Sequence, residues 1–159
     1  MADDRRSELQ EAVQRQLDSG EFPGVELYRV WRLLSEVLEG QAIELFYTGP
    51  LAPGGGYEAF PRPALQLVVC TPALVYDCAF SASAMRYDVS FLAGIYRVAE
   101  TWSEEQSVEG PPRKKLSVTM DFENYRLGMI LALTAYGEKS AELHTFARGV
   151  YALTMTKGK

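Results

Sequence analysis

The positions between residues 65 and 102 alternate between apolar and polar side chains in short runs, which turn-forming residues separate. The clearest run is Met85 to Phe91, in which Tyr87, Val89 and Phe91 alternate with charged or hydroxyl-bearing side chains. Such alternation is typical of a strand with one buried face, because successive side chains point to opposite sides. The breaks divide the region into four predicted strands: 65–70, 73–80, 85–91 and 95–102.

Three further strands are predicted outside this region. Residues 116–122 alternate cleanly between apolar and polar side chains, and residues 42–47 do so over a shorter run. Residues 127–136 are almost continuously apolar, which indicates a strand that is buried on both faces or bent around a core. The stretch 48–64 holds four prolines and four glycines, and it is predicted to form a loop, as is 103–115.

A period of 3.6 residues replaces the alternation in three places and predicts three helices. The first runs from Ser7, a capping residue, to Asp18, with residues 1–6 frayed. The second, from Leu27 to Leu38, carries a wide apolar stripe, which favours a helix that covers the sheet over one that binds a partner. The third runs from residue 140 to residue 155.

These elements predict an α+β protein. The expected architecture is a bent seven-stranded antiparallel sheet, or partly open barrel, capped by a C-terminal helix and preceded by two N-terminal helices. Residues 1–40 are predicted as an N-terminal helical segment and residues 42–159 as a β domain, both within one compact unit. A chain of 159 residues buries enough surface to be stable without disulfides.

The order of the elements from residue 42 to residue 155 resembles the pleckstrin-homology-like fold. Locally, the segments CTPALV (70–75) and MRYDVSFLAGIYRV (85–98) resemble a hairpin and the fourth and fifth strands of its bacterial members. The resemblance implies a strongly bent sheet of seven strands with one end plugged by the final helix. Members that bind inositol phospholipids use lysines and arginines around the loop between the first two strands. Here that loop is 48–64 and its only base is Arg62.

The sequence contains no motif of catalysis, phosphate binding or metal binding. His144 is the only histidine, which limits acid–base chemistry. Cys70 and Cys78 are interpreted as inert buried thiols. A turn at residues 72–73 places Cys70 opposite Val75, so no disulfide is predicted. We therefore expect neither enzymatic activity nor a cofactor.

The net charge of −5 originates in the first third of the chain. Residues 1–48 hold ten acids and five bases, whereas residues 49–159 hold eleven of each. Nucleic-acid binding requires a clustered basic surface, so no nucleic-acid partner is expected. The charged N-terminus lacks the apolar core of a signal peptide, and no apolar run is long enough to cross a bilayer, which predicts a cytoplasmic protein.

The favoured functional hypothesis is a non-catalytic binding or scaffolding module that mediates protein–protein assembly. Its partner is a protein, and a second copy of the chain qualifies, which would give a homo-oligomer. The alternative is a receptor protein or enzyme that binds a small apolar ligand in a cavity roofed by the 48–64 loop. In that alternative Tyr57, Phe60 and Arg62 are the candidate ligand contacts.

A weaker alternative is a peripheral protein that binds anionic membranes. Its candidate anion site is Arg113, Lys114 and Lys115, which we call the basic patch. Three glutamates between residues 104 and 109 favour the simpler interpretation that these bases belong to a solvated loop.

Overall fold

The computed structural model describes residues 2–54, 57–106, 110–123 and 130–157. Over these residues the protein is α+β, with three α-helices and seven strands in two antiparallel sheets. In chain order the elements are α1 Ala2–Asp18, α2 Leu27–Leu38, β1 Leu45–Pro50, β2 Leu65–Cys70, β3 Leu74–Phe80, β4 Met85–Phe91, β5 Ile95–Glu105, β6 Arg113–Phe122, β7 Ile130–Tyr136 and α3 Lys139–Lys157. A 3₁₀ helix, Leu92–Gly94, lies between β4 and β5.

The predicted α+β class and the seven strands are confirmed, but the prediction of a single sheet is wrong. Four strands form one sheet in the order β1-β2-β3-β4, three form a second in the order β5-β6-β7, and over the described residues they close no barrel. The separation falls at the 3₁₀ helix. Leu92 N–H donates to the Ala73 carbonyl of the first sheet's β2–β3 turn at 2.9 Å, and Glu123 N–H donates to the Gly94 carbonyl at 2.7 Å. The first bond engages the start of the 3₁₀ helix and the second engages its end. β4 and β5 lie in different sheets and do not form a hairpin.

The chain forms two compact units, each of which contains one sheet. The first consists of Met1–Leu51 and Phe60–Leu92, and the second of Ala52–Ala59 and Ala93–Lys159. The predicted domain boundary after residue 40 stays a prediction, because packing into units does not show which part folds by itself.

In the first unit, α1 and α2 cover one face of the four-stranded sheet. Antiparallel pairing sets Leu67 opposite Cys78 and Val69 opposite Tyr76, so these side chains share a face. They pack with the helices into one apolar core that includes Leu9, Val13, Val30, Leu34, Leu38, Leu65, Leu67, Val69, Cys78 and Phe80. The prediction that the apolar stripe of α2 covers the sheet is therefore confirmed.

Gly24 sets the approach of α2 to the hairpin between β3 and β4. Its φ of +83° lies in the left-handed region, and a Cβ atom at this position would lie 2.6 Å from the Cβ of Ala82. Arg29 Nη1 links the same two segments by donating to the Gly24 carbonyl at 3.0 Å and to the Ala82 carbonyl at 3.4 Å. This close approach requires a residue without a side chain.

Replacing Gly24 with alanine is expected to lower the free energy of unfolding by about 2 to 4 kcal/mol, because left-handed strain adds to the steric overlap with Ala82. Gly40→Ala is the matched control, since Gly40 has a φ of +81° but open space where a Cβ would stand. Strain alone predicts a loss of about 1 kcal/mol there. Urea unfolding measures both values, and equal losses would show that the contact with Ala82 costs nothing.

In the second unit, α3 packs against all three strands of its sheet. The buried apolar side chains of α3, β6 and β7 include Leu143, Phe146, Ala147, Val150, Leu116, Val118, Met120, Leu131, Leu133 and Ala135. Burial alternates along β7, so the first of the two predicted alternatives, a strand buried on both faces, is wrong, and a strand bent around a core stays a prediction; residues 127–129 lie outside the described residues. Among the helices described, none is long and apolar enough to cross a membrane.

The hairpin of β5 and β6 is longer than the sequence predicts. Residues 103–105 and 113–115 were expected in a loop, but Glu104 lies opposite Lys114 and Glu105 opposite Arg113 in a continuous ladder. Opposite charges that face each other across two strands stabilise their pairing. The loop is therefore shorter than predicted, because β5 extends to Glu105 and β6 begins at Arg113. The third predicted loop glutamate, Glu109, lies outside the described residues.

Two other element ends differ from the prediction. The first helix begins at Ala2 instead of Ser7, so part of the segment expected to fray is helical. The first strand is Leu45–Pro50, so it starts later than residue 42 and runs three residues past Tyr47. Pro50 is tolerated because β1 is an edge strand, where a missing N–H need not break a ladder.

Candidate interaction surface

The basic patch lies at the start of β6 in the second unit. Arg113 Nη2 is 3.4 Å from Glu105 Oε2, and its guanidinium carbon lies 4.3 Å from the centre of the Tyr136 ring. Lys115 Nζ lies 5.7 Å from the centre of the same ring. Arg113 is thus neutralised by an acid, and Lys115 lies over an aromatic face.

A cleft of about 730 Å³ adjoins the basic patch where α3 begins. Its charged lining consists of two acids, Glu105 and Glu138, and two bases, Arg113 and Lys114. Lys114 also stands directly opposite Glu104. The cleft therefore lacks the excess of positive charge that attracts an anionic membrane or another polyanion.

The three residues predicted to contact a ligand under the 48–64 loop have different surroundings. Tyr57 is almost fully buried, Phe60 is half-buried and Arg62 is exposed. Tyr57 belongs to the second unit, whereas Phe60 and Arg62 belong to the first, where Arg62 Nη1 donates to the Phe60 carbonyl at 3.3 Å. The loop itself is shorter than predicted, because residues 48–50 lie in β1.

The two cysteines are buried free thiols. The register sets Cys70 opposite Val75 and Cys78 opposite Leu67, which confirms the predicted turn at residues 72–73. Burial raises the pKa of Cys70 to about 12, and burial also raises the pKa of Cys78. Both thiols are therefore protonated near neutral pH and poor nucleophiles.

Asp77 is a buried carboxyl on the sheet face that points away from the helices. Burial raises its pKa from 3.8 to about 7; Gln66, whose Nε2 donates to Asp77 Oδ1 at 3.0 Å, lowers it. Asp88, directly opposite on β4, raises the pKa and Arg86 lowers it, both by smaller amounts. A shifted pKa can mark a catalytic group, but it also occurs in structural polar networks. Gln66, Asp88 and Arg86 are side chains of the sheet itself, which favours the structural interpretation.

A group of exposed large apolar side chains lies on and beside β4 in the first unit. Met85, Tyr87, Val89 and Phe91 are 41–73% exposed, and Tyr28 of α2 is 65% exposed; we call these five residues the β4 surface. The register with β3 places the four strand residues on the face that carries the core, yet their exposure shows that the helices leave β4 uncovered. Over the described residues β4 pairs only with β3, so its other edge is unpaired.

A cleft of about 450 Å³ adjoins the β4 surface between α2 and β4. It is lined by Tyr28, Arg29, Arg32, Leu33, Glu36 and Met85. Three of these side chains are apolar or aromatic and three are charged. Protein–protein contacts likewise combine apolar side chains with polar ones.

The second unit has an apolar groove of its own, of about 420 Å³, between β5 and the end of α3. Tyr96, Tyr151 and Met155 line it and are largely exposed. Exposed apolar side chains are therefore present in both units.

Sequence reasoning missed the β4 surface as a site, although it found the pattern that forms it. The alternation from Met85 to Phe91 predicted β4 with the bounds that the structure shows. Alternation normally marks a strand whose apolar side is buried. In β4 the apolar side chains are more exposed than the polar ones. Only the position of β4 at the edge of the sheet indicates this exposure, and the alternation in the sequence does not.

Among the described residues, no group of three or more histidine, cysteine, aspartate or glutamate side chains is placed to hold a metal ion. No family model matches the chain, and no curated protein or solved structure matches it either.

Proposed function

We propose that this protein is a non-catalytic binding or scaffolding module that mediates protein–protein assembly through the β4 surface. One observation carries the proposal: an edge strand presents four large apolar side chains, 41–73% exposed, beside a cleft to which Tyr28, Leu33 and Met85 contribute. Contiguous exposed apolar side chains on a soluble domain are costly to leave in water and usually mark a contact. The unpaired backbone groups of the same strand add hydrogen-bonding capacity.

A pleckstrin-homology-like architecture is part of this proposal. It is supported by the order of the elements, in which an antiparallel four-stranded meander is followed by a three-stranded meander and a final helix. The loop between β1 and β2 carries a single base, Arg62. That composition suits a protein-binding member better than one that binds phosphoinositides.

The alternative functions have less support. A cavity roofed by the 48–64 loop would use Tyr57, but this side chain is itself buried, and part of the loop is strand. Membrane binding through the basic patch is disfavoured because Arg113 pairs with Glu105 and Lys114 lies opposite Glu104. The absence of nucleic-acid partners and the cytoplasmic location stay predictions.

The proposal is tested by the native size of the protein in an extract of its own host. Size-exclusion chromatography with immunodetection is expected to show the 17.7 kDa chain in an assembly larger than a monomer. Val89→Arg should shift it to the monomer position, because a charge cannot be buried in an apolar contact without a partner. Ile130→Arg is the matched control, since Ile130 is also an apolar, β-branched strand residue and is 40% exposed. A monomeric wild-type protein, or an assembly that survives Val89→Arg, would contradict the proposal.

A further inference from the structure

We propose that the β4 surface binds the β4 surface of a second copy of this chain, with the two strands antiparallel about a two-fold axis at Tyr87. The two four-stranded sheets would then continue into one sheet across the dimer. This inference rests on the proposed function and names its partner.

The free edge of β4 has the backbone geometry that such pairing needs. Ser81 N–H donates to the Ala84 carbonyl, and Leu92 N–H donates to the Ala73 carbonyl, each at 2.9 Å. Ala84 and Leu92, the even-numbered residues that flank β4, therefore bond on the side of β3. Because hydrogen-bonding directions alternate along a strand, the N–H and C=O groups of Met85, Tyr87, Val89 and Phe91 point away from β3, toward an incoming strand.

Charge complementarity selects the register. Within one chain Arg86 Nη2 already lies 3.2 Å from Asp88 Oδ2. With the two-fold axis at Tyr87, Arg86 of each copy also lies opposite Asp88 of the other, in a pair whose side chains are close. An axis at Asp88 would instead set two carboxylates against each other. An axis at Val89 would set Asp88 against Ser90 and leave Arg86 beyond the paired strand. The Tyr87 register alone forms two opposite-charge pairs, and it also stacks Met85 on Val89 of the other copy.

The same register gives Phe91, the most exposed side chain of β4 at 73%, a place to bind. In this pairing Phe91 lies opposite residue 83 of the second copy and therefore beside its Met85. Met85 lines the 450 Å³ cleft together with Tyr28 and Leu33. The cleft is thus positioned to receive the Phe91 ring, once from each copy.

The β4 edge has charged side chains only at Arg86 and Asp88, and it lacks two other features that keep edge strands apart, a bulge and a proline. Natural edges avoid pairing by bulges, prolines or inward-pointing charges. The edge strand β5 of the other sheet has an irregular register between Ile95 and Arg97 and carries four glutamate or arginine side chains. By contrast, β4 pairs with β3 in an unbroken register from Met85 to Phe91 and contains no proline.

Sedimentation velocity of the purified protein tests the inference first. We expect a species of twice 17.7 kDa that dissociates on dilution. Val89→Arg should weaken the dimer at least about 100-fold, because two unpaired guanidinium groups would be buried, whereas Ile130→Arg should leave it unchanged. A purified protein that stays monomeric up to its solubility limit would overturn the inference. If the host extract still shows an assembly that Val89→Arg dissociates, the proposed function survives with a different partner.

Two sets of variants test the register. Tyr87→Cys should form an intermolecular disulfide on mild oxidation, because residue 87 faces its own copy within about 5.5 Å. Val89→Cys should not, because its copies are about 14 Å apart along the strands, and the native thiols are buried. Asp88→Arg should weaken the dimer, and Arg86→Asp combined with Asp88→Arg should restore it. Crosslinking of Val89→Cys in place of Tyr87→Cys, or no rescue by the charge swap, would overturn the register.

Discussion

Replacing Asp77 with asparagine is expected to raise the free energy of unfolding above pH 7 by about 4 kcal/mol, because the wild-type protein must bury a carboxylate there. Burial raises the pKa of this carboxyl from 3.8 to about 7, and each pKa unit corresponds to about 1.4 kcal/mol. Asparagine retains the Oδ1 atom that accepts the hydrogen bond from Gln66 Nε2. The variant therefore removes the charge and keeps the contact.

The pH dependence follows from the direction of this shift. Since the folded state holds its proton up to about pH 7, it binds more protons than the unfolded state between pH 3.8 and pH 7. The contribution of Asp77 to stability is therefore fully present below pH 3.8 and is lost as the pH rises through 7. The difference in stability between wild type and Asp77→Asn should be small near pH 4 and grow toward pH 8.

Urea unfolding of both proteins across this pH range measures that difference. Asp88→Asn is the control, because Asp88 raises the pKa of Asp77 only in part and is itself about one-third exposed. Its stabilising effect should be clearly smaller. A wild-type–variant difference that does not change with pH would show that Asp77 is not the titrating group.

Replacing Leu34 with alanine is expected to lower the free energy of unfolding by about 3 to 5 kcal/mol. Leu34 is fully buried in the middle of α2, in the core that α2 shares with the four-stranded sheet. The substitution removes buried methyl groups and leaves a cavity that a sheet and two helices cannot easily close. Chemical unfolding monitored by circular dichroism measures the loss.

Tyr28→Ala is the control on the same helix. Tyr28 is 65% exposed, and surface substitutions usually change stability by less than about 0.5 kcal/mol. Because Tyr28 belongs to the β4 surface, the substitution should weaken assembly while leaving unfolding nearly unchanged. A larger loss of stability in Tyr28→Ala than in Leu34→Ala would contradict the assignment of the two faces of α2.

The local sequence determined the type and position of most elements. The bounds of β4 and the central stripe of α2 follow from periodicity alone, since a side chain's direction repeats every two residues in a strand and every 3.6 in a helix. The register between β2 and β3, with Cys70 opposite Val75, follows from the proline turn between them. These properties depend on neighbours in the chain, so they can be predicted before any packing is known.

Tertiary structure decided which face of each element is covered and where long-range pairing begins. The apolar row of β4 looks like a core face in the sequence and becomes the candidate site, because β4 ends the sheet and the helices leave it exposed. The extension of β5 and β6 as far as Glu105 and Arg113 depends on cross-strand charge pairs that no local pattern shows. The elevated pKa of Asp77 likewise results from burial, which residues distant in sequence supply. Coverage, pairing partners and desolvation depend on chain segments far apart in sequence, and so they are visible only in the folded protein.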